Sequence, residues 1–107
     1  MKISYQTSKL EKLLHDSNAL KKKYGEQVAA KIIQCVQDLD ASDCLKEIPK
    51  RLRPHPREPK NEEVFQVDIL KHKHSTRLLF RPADDYDISN YETVTSIELI
   101  DIIKTHS

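Results

Sequence analysis

At 107 residues the chain is expected to form one domain around one small core, with little room for a second module. Lysine and arginine number 18 against 17 aspartate and glutamate, a net charge of +1 that does not by itself call for nucleic acid. No long apolar run and no N-terminal hydrophobic stretch is present, so a membrane span and a secretory signal are not expected and a cytoplasmic setting is. Cys35 and Cys44 lack the paired spacing of a zinc site and read as reduced structural thiols.

Lys2 to Gln6 is short enough to be an edge strand. Ser8 and Glu11 have the form of a capping box, and Leu10, Leu13, Leu14, Leu20 and Tyr24 follow at helical spacing, so a helix is predicted from about residue 8 toward Gly25. The polar HDSN at 15 to 18 is a place for it to be interrupted or kinked. Gly25, the single glycine, suits a C-cap or interhelical turn. Beyond it Val28, Ile32, Cys35 or Val36, and Leu39 mark the buried stripe of a second helix ending near Asp40, and the two helices are predicted to form an antiparallel hairpin. Four prolines between Pro49 and Pro59 bar a long helix there.

Strands follow. Phe65, Val67 and Ile69 alternate with Gln66 and Asp68, and after the turn KHKH the stretch STRLLFRP puts Leu78 and Phe80 on one side and Arg77, Leu79 and Arg81 on the other. Residues 83 to 92 read as a polar loop and 94 to 103 as a long strand covered on both faces for much of its length. The expected class is α+β: an N-terminal helical hairpin packed on a small, mainly antiparallel sheet, in a single domain over residues 1–107.

Charge is segregated along this chain. Lys46, Lys50, Arg51, Arg53, Arg57 and Lys60 crowd one segment, and Asp84, Asp85 and Asp87 another, so one face can attract phosphates although the net charge is small. His55 precedes the hairpin that carries Arg77, with no glycine-rich or cysteine-rich motif nearby. Histidine both takes and gives protons near neutrality, and the arginine fork grips two phosphate oxygens at any relevant pH. Those are the groups a metal-free ribonuclease needs when the RNA's own 2′-hydroxyl attacks the adjacent phosphate. Arg77 has a plainer reading as a partner of Asp68 across the hairpin. His72 and His74 lack a third ligand at suitable spacing, so no metal is expected.

The order of these elements resembles the RelE-like toxins of bacterial toxin–antitoxin pairs, most closely the HigB-like killer-protein branch. Leu52, Arg53, Pro54, His55 and Pro56 are followed by Phe65, Val67 and Asp68, then Arg77, Leu78, Leu79 and Phe80, and finally an isoleucine-rich strand closing near His106. The N-terminal LEKLL and KKKYGEQVAAKI are similar to that family's helical hairpin, so the resemblance covers almost the whole chain.

The resemblance implies the toxin of a type II pair, a ribosome-dependent mRNA endoribonuclease that needs no cofactor and inhibits translation. His55 and His106 would exchange protons, Arg77 would clamp the phosphate, and Arg53, Arg57, Lys60, Lys71 and Lys73 would hold RNA. It further implies a cognate HigA-like antitoxin with a helix-turn-helix fold and a higher-order toxin–antitoxin complex. Glu58 and Pro59 stand where the family has lysine and glycine, and Lys104 and Thr105 precede His106 where it has Asp-Tyr. Two alternatives follow: a ParE-like toxin acting on a protein target such as DNA gyrase, and a catalytically impaired member of the fold that only binds.

Overall fold

The structure is a computed structural model that describes residues 1–52, 55–56, 63–70 and 76–104. Strand β1 (Lys2–Tyr5) leads into three helices, α1 (Ser8–Leu14), α2 (Ser17–Tyr24) and α3 (Glu26–Ala41). Two single 3-10 turns, Leu45–Glu47 and Lys50–Leu52, carry the chain to β2 (His55–Pro56), β3 (Phe65–Asp68), β4 (Thr76–Pro82) and β5 (Ser96–Lys104). The sheet order is β1-β5-β4-β3-β2, antiparallel except where β1 runs parallel to β5. The α+β class is as the sequence predicts, and the sheet is mixed.

The first predicted helix is two helices. α1 ends at Leu14 with His15 as its C-cap, and Asp16 caps α2, its carboxylate accepting the Ala19 N–H at 3.1 Å, so the polar stretch interrupts the helix, one of the two expected outcomes. The cap of α1 is Thr7, one residue before the expected Ser8, with its hydroxyl accepting the Leu10 N–H at 3.1 Å. Gly25 joins α2 to α3 at a φ of 88°, in the region where an L side chain is strained. The α3 stripe is as expected: Val28, Ala29, Ile32, Cys35 and Leu39 are buried.

These residues pack, with Leu20 of α2, on one face of the sheet, against Phe65, Val67, Leu78, Phe80, Ile97, Leu99 and Ile102. Phe65 stacks on Phe80 with ring centroids 5.6 Å apart, and Tyr91 meets Phe65 edge-on. The opposite face of the sheet is polar in pattern: Gln66 and Asp68 on β3, Arg77 and Arg81 on β4, and Glu98 and Asp101 on β5 are half-buried or exposed.

One irregularity decides which residues of β5 face inward. Leu79 pairs with Asp101 while Phe80 pairs with Leu99, so Ile100 is an extra residue in β5. Side-chain parity therefore switches at Ile100: Ile97 and Leu99 before it and Ile102 after it all face the core. The Asp101 carboxylate accepts the Ile102 N–H at 2.8 Å beside the bulge. What reads in sequence as a strand covered on both faces is a strand with one fully covered face and a change of parity.

Candidate functional site

The polar face of the hairpin is organised in rows set by strand register. Directly paired residues share one face. Gln66 lies opposite Leu79 and, on its other side, opposite His55, so these positions form one row across β2, β3 and β4. The next row pairs Asp68 with Arg77 and continues to Ile103. Two strand spacings across and two residues along separate the backbone positions of His55 and Arg77 by about 12 Å. Leu79, in the His55 row, is 7% exposed, so the part of this face next to Arg77 is apolar and largely covered.

Arg77 does not project into solvent. Its Nε lies 2.8 Å from Asp68 Oδ1, with side-chain exposures of 19% and 32%, and its Nη1 donates to the Thr76 carbonyl at 3.3 Å. Asp68 Oδ1 is buried without an aligned hydrogen bond, so charge proximity rather than a well-aimed N–H holds the pair. This cross-hairpin ion pair is the plainer of the two readings available from the sequence. A phosphate gripped by Arg77 has to compete with the Asp68 carboxylate for the same guanidinium.

A second cluster on this side went unnoticed in the sequence. Arg81 Nε is 3.3 Å from Glu98 Oε1, as the β4–β5 register requires, again without an aligned N–H. Tyr86 donates a short hydrogen bond to the Glu63 carboxylate. That bond, then burial and the Glu63 charge push the Tyr86 hydroxyl up from its ordinary pKa, against a smaller opposing pull from Arg81. The Arg81–Glu98 pairing was legible from strand parity; Glu63 and Tyr86 come from loop segments that no periodicity connects.

The remaining expected site residues divide by where they fall. His55 is in β2, where its backbone pairs with Gln66. His106 and the RNA-contacting candidates Arg53, Arg57, Lys60, Lys71 and Lys73 lie outside the described residues, as do His72 and His74. No group of three or more metal-ligating side chains occurs among the described residues. The acidic segment has structural work: Asp84 accepts the Ser96 hydroxyl at 2.7 Å, and Asp87 accepts the Ser89 amide and hydroxyl. Both hydrogen bonds from Ser89 hold the Asp87 carboxyl below its usual range.

Cys35 and Cys44 are free and buried. Burial, with the Asp38 charge behind it, pushes the Cys35 thiol up to about 12, which makes it a poor nucleophile. Cys35 borders a cleft of about 290 Å³ between α3 and β3, with Lys31, Gln34, Asp38, Leu52 and Asp68 on its walls. Asp68 thus stands between this cleft and Arg77.

Among the described residues no helix is long and apolar enough to cross a membrane. Compared with known proteins, the chain matches no family model, no curated protein and no solved structure.

Proposed function

We propose that this chain is a small, metal-independent endoribonuclease of the toxin type, cutting mRNA on the ribosome and held in check by an antitoxin. The observation that carries the reading is the register of β2, β3 and β4, which sets the backbone of His55 one row from Arg77. A histidine and an arginine about 12 Å apart at the backbone can reach one phosphodiester between them, since each side chain extends roughly 5–7 Å from its Cα. Arg77 would neutralise the charge that builds on the phosphate, and His55 would take or give the proton. His106 would supply the second proton transfer.

Only six aromatic residues occur in the chain, and none lies between 46 and 60. Bases therefore lack a stacking platform beside the basic segment, so another body, the ribosome, would orient the message. The partner in this reading is a helix-turn-helix antitoxin that builds a larger complex.

The Asp68–Arg77 pair supports a second reading, in which the chain binds without cutting, because the intended clamp is already neutralised by its neighbour. One experiment separates the readings. The chain is expressed from an inducible promoter in a bacterium while growth and transcript 5′ ends are followed, for the parent, Arg77→Ala and His55→Ala. New ends inside coding sequences that vanish with either substitution are expected. Growth arrest without new ends points to a protein target, and harmless expression of the parent removes the toxin reading.

A further inference from the structure

The two edges of the sheet differ, and the one formed by β1 has features of a binding site. Lys2 N–H bonds to the Thr95 carbonyl at 3.1 Å and Gln6 N–H to the Leu99 carbonyl at 2.8 Å. Residues 2, 4 and 6 therefore direct their backbone groups toward β5. The amides and carbonyls of the alternate residues, Ile3 and Tyr5, point away from it, and among the described residues β1 has no strand on that side. No described residue makes a backbone hydrogen bond with either. An edge with paired donors and acceptors in the open is a template for another strand.

The same two residues line a groove. Ile3 and Tyr5 of β1, Leu14 and His15 at the end of α1, and Ile33, Val36, Gln37 and Asp40 of α3 enclose about 370 Å³ beside that edge. Its floor is aliphatic, and Tyr5 meets His15 edge-on at 5.6 Å. The ionised group on its wall is acidic. Burial first, then the carboxylates of Glu11 and Asp40, raise the Tyr5 hydroxyl above its ordinary pKa, so two negative charges face this ring. The Met1 α-ammonium donates to the Leu39 and Asp40 carbonyls and already offsets the negative end of α3, so the charge left to attract a cation is that of the Asp40 and Glu11 carboxylates.

We infer that the β1 edge and the α1–α3 groove receive an extended segment of a partner protein, one that adds a strand beside Ile3 and Tyr5. Alternate apolar side chains of that segment would lie on Leu14, Ile33 and Val36, and one lysine or arginine would sit by Asp40 and Glu11. Backbone bonds would supply affinity and the groove the choice of sequence. The surface lies on the opposite edge of the sheet from the β2–β3–β4 rows, so the inference stands independently of the nuclease reading.

A panel of end-blocked hexapeptides, alternating valine and threonine with one lysine at varied positions, supplies the probe. Binding is followed by fluorescence anisotropy, and amide exchange at Ile3 and Tyr5 by NMR on the full chain. One register should bind and slow exchange at both amides. Asp40→Lys, at an exposed position, should weaken that peptide about fivefold, and replacing its lysine by glutamate should recover the loss. A thermal melt confirms that the variant folds. Absence of binding across the panel, or binding that leaves Ile3 and Tyr5 exchanging as before, overturns the inference. So does a concentration-dependent dimer in which both amides are already protected without peptide, because the occupant is then a second copy of the chain.

Discussion

The two faces of the sheet obey different rules. On the helix-covered face Leu78, Phe80, Ile97 and Leu99 are fully buried in one cluster with residues of α2 and α3, so each side chain is held by many weak contacts at once. On the other face the ion pairs are discrete: one carboxylate to one guanidinium in each of two rows, with Leu79 between them and Ile103 beside Arg77. The first face concentrates stability, and the second holds partly exposed polar groups whose replacement leaves that core intact.

The largest effect should come from breaking the covered face. Phe80→Ala removes a ring that is wholly buried and stacked on Phe65, and should cost about 3–5 kcal/mol by chemical denaturation, enough to leave much of a small domain unfolded. A loss under about 1 kcal/mol would mean that the core does not close around this ring as described.

On the polar face Arg77→Ala should reverse that balance. Stability should stay within about 1 kcal/mol of the parent, since the lost ion pair is partly exposed. Cleavage should fall roughly a hundred- to a thousandfold, the usual result of losing one donor to a transition-state oxyanion. Arg77→Lys should restore only part of the rate, because an ammonium cannot make the planar two-oxygen contact. A folded Arg77→Ala protein that still arrests growth and cuts mRNA at the parental rate places the chemistry elsewhere.

Asp68→Asn is a finer probe of the same face. It keeps the shape of the Arg77 contact but removes the competing negative charge, so RNA cleavage should rise by a few-fold, with stability changed by no more than about 1 kcal/mol. Unchanged cleavage, set beside an inactive Arg77→Ala, would mean that Asp68 does not compete with the phosphate.

A further effect is expected at high pH. Cys35 is held protonated in the fold up to about 12 from an ordinary thiol value of 9.0, and burial raises Tyr5 and Tyr24 in the same direction. A raised folded pKa means that the folded state binds the proton more tightly. The stabilisation is therefore complete below pH 9 and falls away as pH rises from there toward about 12. Denaturation midpoints measured across that window should decline, and Cys35→Ala should flatten part of the slope. A flat profile in the parent would show that the thiol is less buried than α3 packing requires.

Much of this division was readable from residue order alone. The 3.6-residue stripe of α3 and the strict alternation of Phe65 to Asp68 state which side chains turn inward, because helix and strand periods leave little choice once one face is apolar. Local chemistry was less decisive at boundaries. Thr7 and Ser8 are equally good caps by type, and backbone geometry selected the former. The site was readable only in part. Parity names Arg77 and Asp68 as neighbours if the hairpin register is known, but the preference of Arg77 for Asp68 depends on that register. Strand pairing in turn depends on contacts across the sheet that no local window contains. The Glu63–Tyr86 bond joins residues 23 apart through two loops, beyond the reach of any repeat in the sequence.

The extra residue in β5 has a consequence for how this chain tolerates changes in length. With Ile100 present, inward positions are odd-numbered before it and even-numbered after it. Deleting Ile100 would leave Ile97, Leu99 and the shifted Ile102 two residues apart in regular alternation, all still facing the core and all still opposite their β4 partners. Deleting Glu98, two residues earlier, would instead put Leu99 opposite Arg81 on the polar face and Ile100 opposite Phe80 in the core, exposing a leucine and removing the carboxylate that Arg81 faces. Within one strand, then, a one-residue deletion is close to silent at one position and disruptive at its near neighbour, and a deletion scan read by thermal melting should find a single tolerant point at Ile100.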